Sequence, residues 1–184
     1  MDNETGLRAD AQRNRERIVA AAETVFLEQG AGASLEEVAR RAGVGIGTLY
    51  RRFPSREVLL AAAWNVHLLN FAQASRAGDD AGDPFSTMCA FLEGLVRNTQ
   101  IWRGLASSLG TVLQSGTPGC MAVTEEGRRL LSRGQEAGAF RNDITFDDMV
   151  YMVVAVSLAA EQESASTTRI AHLIDLFLNG IQPQ

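Results

Sequence analysis

GVGIGTLYRRFPSREVLL occupies residues 43–60, and this stretch combines features that an ordinary helix avoids. Gly45 and Gly47 stand where a helix should begin, although a glycine in a helix interior costs about 1 kcal/mol relative to alanine. A tyrosine and two arginines, Tyr50 to Arg52, then follow in a row. The stretch predicts a short helix that opens on glycines and displays an aromatic side chain and positive charge.

The residues just before this stretch predict a second short helix that packs against the first. In SLEEVARRAG, residues 34–43, Ser34 is a good N-cap, and Glu37 three residues later completes a capping box. Gly43 ends this helix in a tight turn. A longer helix is predicted from Pro54, at a first-turn position where its missing N–H costs nothing. Two short helices joined by a tight turn form a helix-turn-helix.

The distribution of charge supports binding to nucleic acid, although the total charge does not. The net charge is −5, and the composition, 46% hydrophobic and 21% charged, is that of a globular protein. Five arginines and no acid lie between residues 38 and 56. Because binding depends on the local charge of the contacting surface, this basic run counts for more than the net charge.

The glycine-opened helix has the residue types of a recognition helix in the major groove of DNA. The N-terminal residues of such a helix meet the base edges, where glycine allows close approach of the backbone. Thr48 can form a hydrogen bond and can place its methyl group on that of thymine. Tyr50 and the arginines can reach phosphates at the rim of the groove. The alternative is a plain helical hairpin with solvated arginines.

The segment SLEEVARRAGVGIGTLYRRFPSREVLLAAA resembles the DNA-binding region of the TetR family of bacterial repressors, with the likeness covering about residues 12–63. The resemblance implies an all-α homodimer that binds a palindromic operator and releases it when a small ligand occupies a C-terminal body. It also implies DNA contacts at Ser34, Gly47, Thr48, Tyr50, Arg51, Arg52 and Arg56. The outer side of the predicted helix adds Gly45 and Ile46. We expect a disordered tail over residues 1–11, a helix-turn-helix domain over 12–56, and a ligand-binding and dimerisation domain over 57–184.

The C-terminal body shows five further helical patterns and no strand pattern, so the sequence predicts an all-α, nine-helix, two-domain architecture. The pattern at residues 146–162 is apolar almost all round, and a helix of that kind must be buried on two sides. We expect it to face its own core on one side and a second subunit on the other, together with the one-sided helix at 167–181. The alternative is a fully buried core helix in a monomer.

Large apolar side chains are abundant in the middle of the chain and suit a pocket for an apolar or aromatic molecule. His67 could donate a hydrogen bond to such a ligand. For any single one of these residues, ordinary core packing is the alternative. The candidate pocket residues are Trp64, His67, Phe71, Met88, Phe91, Trp102, Leu105, Leu109 and Met121.

Other classes of function find less support in the sequence. Two histidines and two cysteines that lie far apart give no metal-ligand spacing, and no phosphate loop or nucleophile motif occurs, so we expect no enzyme, metal or cofactor. Without an apolar run of about 18 residues, we expect a cytoplasmic protein with reduced thiols and no membrane span. Thiol-redox control through Cys120, which we expect in an exposed loop, remains an alternative. So does DNA binding that is independent of any ligand.

Overall fold

The computed structural model describes residues 2–78, 82–163 and 166–183, and the regular structure within these ranges is helical. Within those ranges there are nine α-helices, one short 3₁₀ helix and no β-strand, which confirms the predicted all-α class. The helices are α1 (Asp2–Gln29), α2 (Leu35–Ala42), α3 (Ile46–Arg52), α4 (Arg56–Ala77), α5 (Pro84–Thr99), the 3₁₀ helix (Ala106–Ser108), α6 (Leu109–Leu113), α7 (Pro118–Glu136), α8 (Phe146–Glu163) and α9 (Thr167–Gly180).

Local signals set the ends of α2 as the sequence predicted. The side chain of Ser34 accepts a hydrogen bond from the backbone N–H of Glu37, and Gly43 ends the helix in the left-handed region at φ +64°. The prediction that α4 begins at Pro54 is wrong by two residues. Ser55 is its N-cap, and its hydroxyl oxygen accepts a hydrogen bond from the backbone N–H of Val58. The side chain of Pro54 has no acceptor atom and could not satisfy a free N–H of the first turn in this way.

Helix α1 begins much earlier than the sequence suggested. It runs from Asp2, so residues 2–11, where the sequence predicts a disordered tail, are part of this helix in the structure, while Met1 lies outside the described residues. Polar contacts one turn apart support its first part, namely the ion pair of Arg13 with Asp10 and a 2.7 Å hydrogen bond from Gln12 to Glu16. Such pairs stabilise an exposed helix without a hydrophobic face.

An aromatic cluster joins the N-terminal helices to the C-terminal body. The ring centroids of Phe26 on α1 and Trp102 lie 5.5 Å apart, and those of Trp102 and Trp64 on α4 lie 6.5 Å apart. All three side chains are almost completely buried. Because these residues come from α1, α4 and the segment after α5, the two parts of the chain share one continuous core.

Helices α4 and α7 approach each other closely. A Cβ atom built at Gly119 would stand 2.4 Å from the backbone oxygen of Asn65, so only glycine fits there without a shift. The Gly119 N–H donates to Oδ1 of Asn65 at 2.7 Å, which fixes the start of α7 on α4. A movement of α7 therefore acts directly on α4.

A buried carboxylate ties the other half of α7 to the end of α4. Glu126 is completely buried, and it accepts from the Ser75 hydroxyl at 3.0 Å, from Nε of Arg76 at 3.0 Å and from Arg129 at 2.9 Å. Burial alone would raise the pKa of Glu126, but these donors outweigh it and hold the pKa below its ordinary value. The carboxylate is therefore ionised, and its hydrogen bonds to Ser75 and Arg76 join α7 to α4.

Replacing this carboxylate will weaken the joint between α4 and α7. We expect Glu126→Gln to lower the free energy of unfolding by about 1–3 kcal/mol, since a neutral amide cannot accept from all three donors. A group with a lowered pKa stabilises the fold above its ordinary pKa, and this contribution is lost as the pH falls through the folded-state value. The difference between wild type and variant in urea unfolding should therefore be constant near neutral pH and shrink in acid.

Glu125→Gln is the matched control, because the Glu125 side chain is 73% exposed and its ion pair with Arg76, at 3.2 Å, lies at the surface. An exposed ion pair of this kind contributes at most about 1 kcal/mol. Equal unfolding free energies for the two variants, or a difference from wild type that does not change in acid, would contradict the role assigned to Glu126.

The segment between α5 and α7 contains only short helices, namely the 3₁₀ helix and α6. Gly104 adopts φ +82°, a left-handed conformation that interrupts an α-helix, and its N–H donates to the side chain of Glu161 on α8 at 3.1 Å. Across the described residues, no helix combines the length and apolar character that crossing a membrane requires.

Candidate nucleic-acid interface and small-molecule pocket

Helix α3 packs against the other N-terminal helices with one side and exposes the opposite side to solvent. Leu49 and the C-cap residue Phe53 are buried in the core of the first three helices. Gly47, Tyr50 and Arg51 lie on the opposite, exposed side, and Tyr50 is 44% exposed although it is aromatic. The structure therefore presents on this exposed face three of the nine residues that the sequence predicted as DNA contacts.

The remaining predicted residues of α3 surround that face. Gly45 is the N-cap, with extended backbone and no side-chain cap, and Arg52 is exposed at the last turn. Ile46 and Thr48 are half-buried. Nη2 of Arg51 donates to the Thr48 hydroxyl oxygen at 3.1 Å, so the two side chains orient each other. The hydroxyl proton of Thr48 remains available to a base or phosphate.

Two of the predicted contacts also have structural roles, of which the sequence predicted the cap at Ser34 but not the hydrogen bonds of Arg56. Ser34 is exposed, but its hydroxyl caps α2 and donates to Glu36 at 2.7 Å. Nη1 of Arg56 donates to the backbone oxygens of Ala31, at 3.0 Å, and Ala33, so it fastens the start of α4 to the loop between α1 and α2. Contact of these two residues with DNA stays a prediction.

The positive charge of α2 is largely neutralised within the protein, whereas that of α3 is not. Glu37 accepts from Arg40 at 2.8 Å and from Arg41 at 2.7 Å, and Arg41 also pairs with Glu28. Hydrogen bonds from Arg40 and then Arg41 lower the pKa of Glu37 to about 2. Among the described side chains, no acid pairs with either arginine of α3, so the unpaired positive charge of this region lies on the exposed side of α3.

Apart from His67, the residues that we expected to line one pocket are divided among the core, a groove that Phe71 and Phe91 line, and a larger cavity that Met121 lines. Most of them fill the core instead: Trp64, Met88, Phe91, Trp102, Leu105 and Leu109 are almost completely buried. Phe71 stacks on Phe91 with centroids 5.2 Å apart beside a groove of about 530 Å³ between α4 and α5. His67 pairs with Glu23 of α1 at 3.3 Å, with its side chain 39% exposed. A role of these residues in ligand binding stays a prediction, because the same apolar residue types serve close packing as well as a cavity.

A larger cavity, of about 890 Å³, opens among α6, α7 and α8. This volume lies within the range of ligand pockets, about 300–1,000 Å³. Met121, the single predicted pocket residue that lines it, is 61% exposed, and Tyr151 is 77% exposed. The other lining residues are of three kinds: apolar (Leu113, Phe146, Val150, Val154), neutral and polar (Ser107, Thr111, Gln114, Thr124), and charged (Glu125, Arg128, Asp147), with Gly110 and Gly116 between them.

Helix α8 has an apolar surface on both of its sides. Met149, Val153 and Val156 are buried against the core. On the other side Tyr151, Ala155 and Leu158 are exposed at a spacing of four and three residues, and Leu176 of α9 is 55% exposed. The described part of the chain leaves this apolar surface uncovered, which is unusual unless another molecule binds there.

The two thiols lack the features of a redox switch. Cys120 lies in the first turn of α7, completely buried, and its thiol donates to the backbone oxygen of Val112 at 3.1 Å, so the expectation of an exposed loop position is wrong. Cys89 is half-buried, and burial, followed by the charge of Asp175, raises the pKa of its thiol to about 11. The reactive form of cysteine is the thiolate, which Cys89 does not form at neutral pH.

Two family models match the chain and together cover most of it. Residues 18–63 match the family described as bacterial regulatory proteins, tetR family. Residues 83–183, more than half of the chain, match the family described as transcriptional regulator SbtR-like, C-terminal domain. The first match coincides with the helix-turn-helix and the start of α4, and the second with α5 to α9.

Individual proteins agree with these matches. An HTH-type transcriptional regulator of Staphylococcus aureus (strain USA300) is 41% identical over 54 residues, which are 29% of this chain and 29% of that protein. The match to the curated relatives thus spans less than a third of their length. The crystal structure of the TetR transcriptional regulator SCO0520 from Streptomyces coelicolor is 30% identical, with a TM-score of 0.56, over 92% of this chain and 99% of that one.

A second solved structure resembles the fold more closely. RolR in complex with the ligand resorcinol has a TM-score of 0.74 over 96% of this chain and 91% of that one, at 23% identity. At that identity the likeness concerns the fold. It extends over both the helix-turn-helix and the C-terminal helices, including those that line the cavity.

Proposed function

The chain belongs to the TetR family of bacterial transcriptional regulators, which bind DNA and are not enzymes, and from this premise we propose a more specific function. It binds a palindromic operator as a homodimer, acts as a repressor in the cytoplasm, and leaves the operator when a small, largely apolar molecule binds its C-terminal body. The observation that supports DNA recognition is the exposed face of α3, where Tyr50 and Arg51 lie beside glycine backbone and no acid in the described part of the chain pairs with the arginine.

The homodimer is proposed from the uncovered apolar surface of α8 and α9. A second copy that places the same surface against it would bury Tyr151, Leu158 and Leu176 in a four-helix interface of two-fold symmetry. Two-fold symmetry also places two recognition helices in successive major grooves, about 34–36 Å apart. The operator that such a dimer reads is a palindrome.

The ligand site is proposed to be the cavity among α6, α7 and α8. Its apolar side chains would take up an aromatic or aliphatic body, and the neutral hydroxyl and amide groups of Thr111, Gln114 and Thr124 would orient hydroxyl or carbonyl groups on it. Resorcinol, the ligand in the RolR crystal structure, has these features and is a suitable first probe.

A continuous set of contacts links this cavity to the DNA-binding helices. Helix α7 lines the cavity and is joined to α4 through Glu126, and α4 is fastened to the loop between α1 and α2 through Arg56. A ligand that fits better when α7 has moved would therefore shift α4 and change the distance between the two recognition helices. It releases DNA only to the extent that it binds that second arrangement more tightly.

Filling the cavity should remove the response to the ligand without removing DNA binding. We expect Thr111→Trp, at an exposed lining position, to bind operator DNA like wild type but to retain it in the presence of resorcinol or another small phenol that releases wild type. Fluorescence anisotropy of a labelled operator measures both properties. Val66→Trp, at a 62% exposed position on α4 outside the cavity, is the matched control and should respond like wild type. Equal release from both variants would contradict this ligand site.

A further inference from the structure

We propose that Arg15 and Arg17 of α1 bind DNA phosphates beside the two ends of α3, so that the nucleic-acid interface extends beyond the helix-turn-helix. The inference rests on the proposed reading of DNA by α3, and it adds helix α1 to the surface that contacts the phosphate backbone. Neither arginine belongs to the stretch that identifies the recognition helix.

The two arginines lie on opposite edges of the side of α1 that packs against the other helices. Ile18 is completely buried and Asn14, one turn before it, is half-buried, so these positions mark the packed side. Successive residues of a helix are about 100° apart, which places Arg15 to one side of that stripe and Arg17 to the other. Both arginines are exposed.

Arg17 lies over the turn that leads into α3. Its Nη2 atom would stand 2.5 Å from a Cβ atom at Gly43, so the guanidinium occupies the space that a side chain would need there. Its Nη1 atom donates a long hydrogen bond, 3.5 Å, to the neutral side chain of Asn14. The charge of Arg17 is thus held next to the N-terminal end of α3.

Arg15 lies at the other end of the same helix. Its Cζ atom is 5.5 Å from the centroid of the Phe53 ring, and Phe53 is the C-cap of α3. A guanidinium stacked on a ring keeps its N–H donors at its edge, where they can still bind an anion. The ring therefore fixes the position of the charge without using its hydrogen-bonding groups.

Neither Arg15 nor Arg17 forms an ion pair with an acid of the described residues, so both charges can bind phosphate, whereas the neighbouring arginines already form ion pairs within the protein. Arg13 pairs with Asp10 and Arg40 pairs with Glu37. Helix α3 has seven residues and is therefore about 10 Å long, and long arginine side chains at both of its ends would reach phosphates on either side of the bases that it reads.

The salt dependence of DNA binding by the full-length protein tests this proposal. We expect Arg15→Gln and Arg17→Gln each to weaken binding to a selected operator and to an unrelated duplex by a similar factor. Each should also reduce the slope of log affinity against log salt concentration by about 1.8 per dimer, for two lost phosphate contacts. Arg15→Lys, which keeps the charge, should retain the slope.

Arg13→Gln is the matched control, because it removes an arginine of α1 that is already paired with Asp10. Its slope should equal that of wild type, and thermal unfolding should show that all the variants are folded. Unchanged slopes for Arg15→Gln and Arg17→Gln in a protein whose Arg51→Ala variant has a reduced slope would overturn the inference. Absence of duplex binding by wild type would instead overturn the proposed function.

Discussion

A Leu176→Glu variant is expected to be monomeric and to bind its operator more weakly than wild type by on the order of a hundredfold or more. Leu176 is 55% exposed on α9, within the apolar surface that we propose as the dimer interface. A carboxylate buried there without a partner would be strongly unfavourable. Separated subunits also lose the high effective concentration that one bound recognition helix gives to the second.

Light scattering after size exclusion measures the mass of this variant, and anisotropy measures its affinity. Leu27→Glu makes the same change at a 64% exposed position on α1, away from α8 and α9, and should remain dimeric. A Leu176→Glu protein that stays dimeric and binds DNA as wild type does would show that the subunits associate through a different surface.

An Arg51→Ala variant is expected to lose about 3–6 kcal/mol of binding free energy in the dimer. One charge-assisted hydrogen bond contributes about 1.5–3 kcal/mol, and two-fold symmetry removes it twice. Since Arg51 is assigned to a phosphate, affinity should fall for all sequences and its salt dependence should become less steep. Anisotropy titrations over a range of salt concentrations measure both effects.

Two further variants serve as comparisons. Thr48→Ala tests the reading of bases, and Arg40→Ala tests the effect of removing a positive charge outside α3. Thr48→Ala should change which operator sequences are preferred and should leave the salt dependence nearly unchanged. Arg40→Ala removes an arginine of α2 whose charge is already paired with Glu37 and should have a small effect. An Arg51→Ala protein with wild-type affinity and salt dependence would remove Arg51 from the interface.

The helix-turn-helix could be predicted from the sequence because short-range interactions specify it. The hydroxyl of Ser34 and the backbone of Glu37 are three residues apart, and the left-handed turn at Gly43 needs a particular residue type at one position. The start of α4 was misplaced because Pro54 and Ser55 both suit a helix start, and only the structure shows which one caps it.

The cavity and the role of Arg56 could not be predicted, because both depend on contacts between distant parts of the chain. Trp64 and Trp102 are as large and apolar as pocket residues often are, but they pack against each other, and Trp102 also packs against Phe26. Thr111, which lines the cavity, has no feature in the sequence that marks it. The carbonyl partners of Arg56 lie 23 and 25 residues earlier in the chain.

The apolar pattern of α8 was more informative, because it concerns all the faces of one helix. It predicted more apolar surface than one core covers, and the structure indeed leaves Tyr151 and Leu158 exposed opposite the buried Val153. Which molecule covers that surface is a property of the assembly. The dimer therefore stays a proposal that the Leu176→Glu variant tests.

The measurement that tests the central claim most directly is selection of bound sequences from a pool of random DNA duplexes, with the mass of the complex determined by light scattering. The account predicts an enriched two-fold palindrome, with half-sites about one helical turn or a multiple of it apart, bound by a dimer. A well-folded protein that enriches no sequence, or one that enriches a site without two-fold symmetry, would contradict it.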